Sequence, residues 1–450
     1  MKPLKFYLIT DIHYYKNSLG AYGEAYERKM DFEQKCFAET QAINEAAFDL
    51  LQKSQDSYIV LIAGDLTYWG EKECNRAVSE MLHDFCEKSG KRVYLVTAGH
   101  DFDRSSHSYD DEGEHPIEGT KFSELYDFYK DFGYKDAIEF NQKHLSYVAQ
   151  LSEDVRLLVI CNDIDGKRNA PYDDEFFAWI EKQAKQAEAD GQMMIAMEHY
   201  PVLPGQPVFA LIGDAREEQS QRLINTLADN GVHLIFTGHM HNQSINVTET
   251  EKGNKFYDVC TGSAIGCPAF MRRVTIEDEK TVKIESIPVP EFEWDKKGLT
   301  GEEYLKKQFD RMLRSYATAM KDDPKRFMSK LGIKPTPALE KIIPVLGRRL
   351  NKMTLGGVAR LLFTHADPQV KDILFVDFAV DMVRSVFEGN QPYTEGTPGG
   401  DTLLRIFRRL RPFIKTVKGA QSETLDFYET MKHTVGNYGI DDYNAVLKLF

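Results

Sequence analysis

At 450 residues, with 42% apolar and 28% charged side chains, the chain has the length for two domains and the composition of a globular protein with a sizeable core. Its net charge of −14 excludes general nucleic-acid binding, which needs a broad basic surface, but not a small phosphate ester held by a few local cations. The six cysteines (Cys36, Cys74, Cys86, Cys161, Cys260 and Cys267) form no Cys-x-x-Cys pair, which points to reduced thiols in a cytoplasmic protein rather than a disulfide framework.

In chain order, Met1 to Lys5 leads straight into the strand-like run Phe6-Tyr7-Leu8-Ile9, with no room for a signal peptide ahead of it. Apolar spacing then predicts helices over 31–53, 73–88, 174–189 and 217–230, and strands over 58–62, 93–96, 194–196 and 234–236. After Phe236 the texture changes to short strands at 243–250, 255–259, 272–276 and 281–287. Alternating β and α followed by a meander predicts two stacked sheets with helices outside them. The stretch 289–298 reads as a linker. Beyond it, helices are expected at 303–319, 337–351, 355–365, 370–388, 402–417 and 422–432, punctuated by Gly and Pro. We therefore expect two domains, 1–295 and an all-helical 296–450. The most apolar late segment, 373–387, is broken by Asp377, Asp381 and Arg384, which suits a buried helix and not a membrane span.

Five short motifs follow the strand-like runs in order: Asp11-Ile12-His13, Gly64-Asp65, Gly99-His100-Asp101, His199-Tyr200-Pro201 and Gly238-His239-Met240-His241. Ligands at the carboxyl ends of several strands converge on one edge of a sheet, where open α/β sheets hold their sites. Asp11 and His13, one residue apart, are expected on one face of a strand end, as are His239 and His241. Alone, Asp11-x-His13 reads as a surface pair, Asp65 as a helix N-cap and His199 as a solvated loop residue. Together, Asp and His in this pattern suit a hard-to-borderline divalent ion such as Mn, Fe or Zn. A carboxylate such as Asp65 can bridge two cations about 3.5–4 Å apart, which a histidine cannot. The ordered set therefore predicts a dinuclear metal site.

This combination resembles the calcineurin-like metallophosphoesterase superfamily over roughly residues 4–290. The resemblance implies a four-layer αββα sandwich with a dinuclear centre that hydrolyses phosphate mono- or diesters. By motif, Asp11, His13 and His241 would hold one metal, His199 and His239 the other, and Asp65 both. His100 would lie just outside them as electrophile or general acid, oriented by Asp101. Two metals neutralise charge on the phosphoryl oxygens and lower the pKa of a shared water, giving hydroxide for in-line attack. The leaving oxygen then needs a proton, for which histidine is well poised. One departure stands out: the family has Asn before the catalytic His, with its amide oxygen on the second metal, and this chain has Gly99. We expect a weaker second site, with a water, a backbone carbonyl or a loop residue such as Asp103 in the gap.

The motifs lack the features of phosphoprotein phosphatases, since Leu66-Thr67-Tyr68 follows Asp65 and Asp101 follows His100. Tyr68 stands where purple acid phosphatases carry a tyrosine ligand, but its neighbours suggest packing. A catalytic domain followed by helices is most similar to bacterial cyclic-nucleotide phosphodiesterase-type members. A phosphodiesterase is therefore the leading expectation, with a phosphomonoesterase or a metal-impaired scaffold as alternatives, and a small phosphate ester as the expected partner. Candidate substrate-binding residues lie on the loops after the first and third motifs: Tyr14, Arg104 and Tyr109. Packing of the two tyrosines onto the sheet is an equal alternative. The basic helix around Arg405, Arg408, Arg409 and Arg411 reads mainly as a solvated face.

Overall fold

The structure is a computed structural model that describes the chain except residues 104, 214, 332, 420, 421 and 437–439. The strand-like runs form two sheets. The first has six strands in the order Asn444–Lys448, Thr281–Pro288, Phe270–Asp278, Leu4–Ile9, Ile59–Ala63 and Arg92–Val96. Leu4–Ile9, Ile59–Ala63 and Arg92–Val96 run parallel, and the other joints are antiparallel. The second has seven, ordered Ser244–Glu249, Lys255–Cys260, Leu234–Thr237, Met193–Met197, Val155–Val159, Ser146–Gln150 and Glu139–Asn141.

Side-chain alternation along the strands builds the layers. Leu157, Val159, Ile195, Met197, Leu234 and Phe236 point inward to join Phe6 and Leu8 of the first sheet. Phe6 and Phe236 meet edge to face across this gap at 5.5 Å. The residues between them, Leu158, Met194, Ala196 and Ile235, point outward to Phe176, Ile180, Leu223 and Leu227 on helices Asp174–Ala189 and Ser220–Ala228. Helices Thr40–Lys53 and Lys72–Ser89 cover the other side of the first sheet with Ile43, Ala47, Leu51, Val78 and Leu82. The result is the expected αββα sandwich.

Beyond it lie helices Gly301–Asp322, Pro324–Lys330, Pro337–Leu350, Leu355–Leu361, Phe375–Glu388, Pro398–Leu410 and Phe427–Thr434. Two features differ from an all-helical region. Thr416–Lys418 and Thr424–Asp426 pair as a small hairpin where helix ends were expected. The final strand, Asn444–Lys448, returns to pair with Thr281–Pro288, and burying Leu447 and Leu449 makes them part of the sandwich core. That strand buries one face only, and five residues carry too little periodicity to separate it from a loop. Helix Phe375–Glu388 also packs Val386 with Met240, Phe209 and Cys260. The Phe387 carbonyl at its end accepts from Gln243 N at 2.9 Å. On the basic helix, Arg408 donates to Tyr428 and Arg411 pairs with Asp426, each at 3.1 Å, so these two charges are engaged locally.

If the last strand is integral to the core, Leu447→Ala should lower stability by about 2–5 kcal/mol in chemical denaturation, the usual range for a buried leucine. An unchanged unfolding midpoint would mean that the strand is an appendage.

Candidate metal centre

The strands that lead into the motifs end at Ile9, Ala63, Val96, Met197 and Thr237, so every candidate ligand lies past a strand end. Strand alternation does not orient them. Asp11, His13, Asp65, His239 and His241 instead take left-handed backbone, with φ of +50°, +35°, +52°, +68° and +52°. Such residues cost about 1–3 kcal/mol each and persist only where the surroundings dictate them. Here the first two ligand loops are held together, with Asp11 N donating to Gly64 O (3.0 Å), His13 N to Asp65 O (3.0 Å) and Tyr14 N to Leu66 O (2.8 Å). Two glycines permit the close approach. A Cβ on Gly64, at φ +87°, would lie 2.7 Å from His199 Nδ1, and one on Gly238 would lie 2.1 Å from Thr10 Oγ1.

Asp65 Oδ2 is the common point of the centre, 3.1 Å from His199 Nε2, 3.7 Å from His13 Nε2 and 4.0 Å from His100 Nε2. The other oxygen, Oδ1, accepts from the His100 backbone N–H at 3.1 Å. Asp11 Oδ1 lies 3.1 Å from His241 Nε2 and 3.6 Å from His13 Nε2, while Oδ2 accepts from His239 N at 3.0 Å and Thr10 Oγ1 at 2.7 Å. Ligand atoms gather as Asp11, His13 and His241 and as Asp65, His199 and His239, each set within 4.8 Å. Backbone carbonyls fix the ring orientations. His13 Nδ1 meets Thr67 O at 3.2 Å and His199 Nδ1 meets Ala63 O at 2.8 Å. A carbonyl only accepts, so each Nδ1 carries a proton, and in the neutral ring the Nε2 lone pair then faces the centre. Among the described residues Asp11 Oδ1 and His199 Nε2 are buried and make no well-aligned hydrogen bond, although His241 Nε2 and Asp65 Oδ2 lie 3.1 Å from them. His13 Nε2 and His241 Nε2 also meet at 3.0 Å, and imidazole nitrogens and carboxylate oxygens crowded together in this way fit divalent cations.

The electrostatics agree. Burial, with Lys35 nearby, lowers His13 to about 4, and burial with His199 nearby lowers His239 to about 3, so both imidazoles are neutral at ordinary pH, as metal ligation requires. Burial also pulls His199 down, but Asp65 and Asp11 outweigh it and raise the group to about 9. A cation there would replace that proton. His100 is held well below its ordinary value by burial and then Lys35, against the pull of Asp65.

Several other sequence expectations land elsewhere. Asp101 does not touch the His100 ring. Its carboxylate accepts from Leu66 N (2.6 Å), Ala98 N (2.7 Å) and Thr67 N (2.9 Å), bracing the loops that carry Asp65 and His100. The His100 Nδ1–H is instead held by the Tyr68 carbonyl, with Lys35 Nζ 3.5 Å from the same nitrogen. Tyr109 is buried against Phe37 and Tyr26 and donates to Glu114 at 2.8 Å, away from the centre. Tyr14 is likewise buried, under the influence of Cys74, Glu45 and Glu80 on the outer helices. Both tyrosines are packing residues. Arg104 lies outside the described residues. Tyr68 stacks on Phe37 at 4.0 Å and donates to Glu33, the packing that its neighbours suggested.

Gly99 is the other surprise. Asp103 does not fill the gap, because its Oδ1 accepts from Ser106 N and Oγ. The space is taken by Arg168, whose Nε would lie 2.0 Å from a Cβ on Gly99. Neither Arg168 nor Lys35 belongs to a motif. The one lies in the loop after Val155–Val159, the other between the first motif and its helix, and only the fold brings them to the site.

A comparison with curated proteins finds no match. Three solved structures are similar. A dimetal phosphatase from Danio rerio has 10% identity and a TM-score of 0.45 over 63% of this chain and 96% of that one. A purple acid phosphatase from yellow lupin has 15% identity and a TM-score of 0.39 over 64% and 52%. A putative 5′-nucleotidase from Staphylococcus aureus has 13% identity and a TM-score of 0.37 over 68% and 58%. The chain thus spans little more than half the length of the last two. Residues 4–243 match the family model of the calcineurin-like phosphoesterases, which covers more than half of the sequence, and the chain belongs to that family.

Proposed function

We propose that this protein hydrolyses a phosphodiester, either a cyclic nucleotide or another small phosphate ester, at a dinuclear metal centre. The observation that carries this reading is the convergence of three histidine Nε2 atoms on Asp65 Oδ2 at 3.1–4.0 Å. Asp11, His13 and His241 would hold one ion, His199 and His239 the other, and Asp65 both. Mn, Fe and Zn suit this donor set. When bound, two such cations supply charge neutralisation for the phosphoryl group and acidify a water for attack.

The chain's own residues then do the rest. Thr67 O and Ala63 O lock the His13 and His199 tautomers. With His100 Nδ1–H engaged by Tyr68 O, Nε2 is the nitrogen free to give a proton to the leaving oxygen. Burial and then Lys35 keep the resting imidazole neutral, and an anionic ester beside His100 opposes them and favours its protonation. A phosphomonoesterase is the second reading, favoured by two fixed cations, Lys35 and Arg168, that both act on His100. The metal-impaired alternative rests on Gly99 alone, against a ligand set that is otherwise whole. We read 1–295 as the catalytic domain and 296–450 as a second domain. Six free cysteines support a cytoplasmic protein, and among the described residues no helix is long and apolar enough to cross a membrane.

Two outcomes test this reading. Asp65→Ala should bring bound metal below about one ion per chain, because a bridging ligand serves both sites, whereas His239→Ala should keep about one. Elemental analysis after reconstitution checks this, and equal metal in both variants would remove the bridging role. His100→Ala should cut turnover by roughly 10²–10⁴-fold with metal content unchanged, the usual worth of a placed general acid. The loss should be smaller for nitrophenyl esters, which need little protonation, than for alkyl esters. Equal losses would show that His100 acts otherwise.

A further inference from the structure

The family's amide ligand is missing at residue 99, and a guanidinium occupies its place. An added Cβ there would lie 2.0 Å from Arg168 Nε, 2.7 Å from its Cδ and 2.8 Å from its Cγ. The loop that supplies Arg168 is itself closed, by the pairing of Ile164 with Lys167 and by Asn169 N donating to Asp163 Oδ1 at 2.9 Å. Arg168 Nε donates to Tyr200 Oη at 3.2 Å, and the Tyr200 ring lies 4.4 Å from that of His239. Tyr200 thereby ties the Arg168 side chain to the neighbour of the His239 ring. Its charge acts on His100 and His239, and Asp65 and Asp163 act on it in turn.

A guanidinium has five N–H donors and no lone pair, so Arg168 cannot replace the amide oxygen as a metal ligand. Tyr200 takes only Nε, and among the described residues the two Nη groups make no hydrogen bond. A half-buried cation with a planar fork of unused donors beside a phosphoesterase centre matches the geometry of phosphoryl oxygens. We propose that Arg168 is a substrate-contacting residue whose Nη groups bind the phosphoryl oxygens of the ester, where related chains spend residue 99 on a metal. This rests on the phosphoesterase reading. It makes Gly99 the small residue that admits Arg168, and it exchanges one metal ligand for one anion contact.

The test uses metal-loaded full-length protein and inorganic phosphate as the probe, by calorimetry, with metal content measured in parallel. Arg168→Ala should weaken phosphate binding by about tenfold to a hundredfold, the worth of charge-assisted hydrogen bonds, with metal content unchanged. Arg168→Lys, which keeps the charge and loses the fork, should recover part of that loss. A second pair of variants needs only metal titration of the metal-free protein. Gly99→Asn alone collides with Arg168, so it should tighten metal binding only when combined with Arg168→Ala. Wild-type affinity for phosphate in Arg168→Ala overturns the proposal, as does a loss that merely follows lost metal. A wild-type protein that holds its metals but takes no phosphate contradicts the phosphoesterase reading itself, and this proposal with it.

Discussion

Two buried carboxylates, Asp11 and Asp65, face histidine nitrogens, and the rest of the site is arranged around that concentration of negative charge and lone pairs. Burying such groups costs several kcal/mol each unless a cation or a set of donors answers them. The chain answers only in part. Asp65 Oδ1 and Asp11 Oδ2 receive backbone N–H groups, whereas the inward oxygens meet histidines whose tautomers present lone pairs. An interior left short of positive charge in this way suits metal ions, which would take the place of the proton that Asp65 and Asp11 favour on His199.

The fold carries this unfavourable cluster by making its surroundings stiff. Inner strands fill the space between the sheets with Phe6, Ile195 and Phe236, and the ligands stand on short loops directly past the strand ends. Five of them sit in left-handed backbone, which is affordable because neighbouring loops bond to one another and Asp101 collects three backbone N–H groups beneath them. The helices after residue 300 contribute too. Val386 packs with Met240, the residue between His239 and His241, and Phe387 bonds to Gln243. The second region thereby buttresses the last ligand loop from outside the sandwich.

The motif residues could be read from the sequence because each follows a buried strand, and a β-branched or aliphatic run ending in Asp or His is a local signal. The sandwich followed for the same reason. What lay beyond reach was everything set by approach between distant segments. The motif makes Asp101 the residue that orients His100, yet its carboxylate turns to the neighbouring loop. Tyr14 and Tyr109 are aromatic residues on the right loops, but burial claims them for packing. Lys35 and Arg168 carry no local pattern at all. The left-handed ligand conformations were equally hidden, since Asp and His reveal no φ. The closing strand Asn444–Lys448 is a one-faced edge strand whose partner lies far back in the chain.

Anomalous diffraction at the metal edge, from crystals of manganese-reconstituted protein, tests the central claim most directly. The account predicts two peaks, one among Asp11, His13 and His241 and one among Asp65, His199 and His239, both in reach of Asp65. A single peak, with the Arg168 guanidinium taking the second position, would contradict a dinuclear centre.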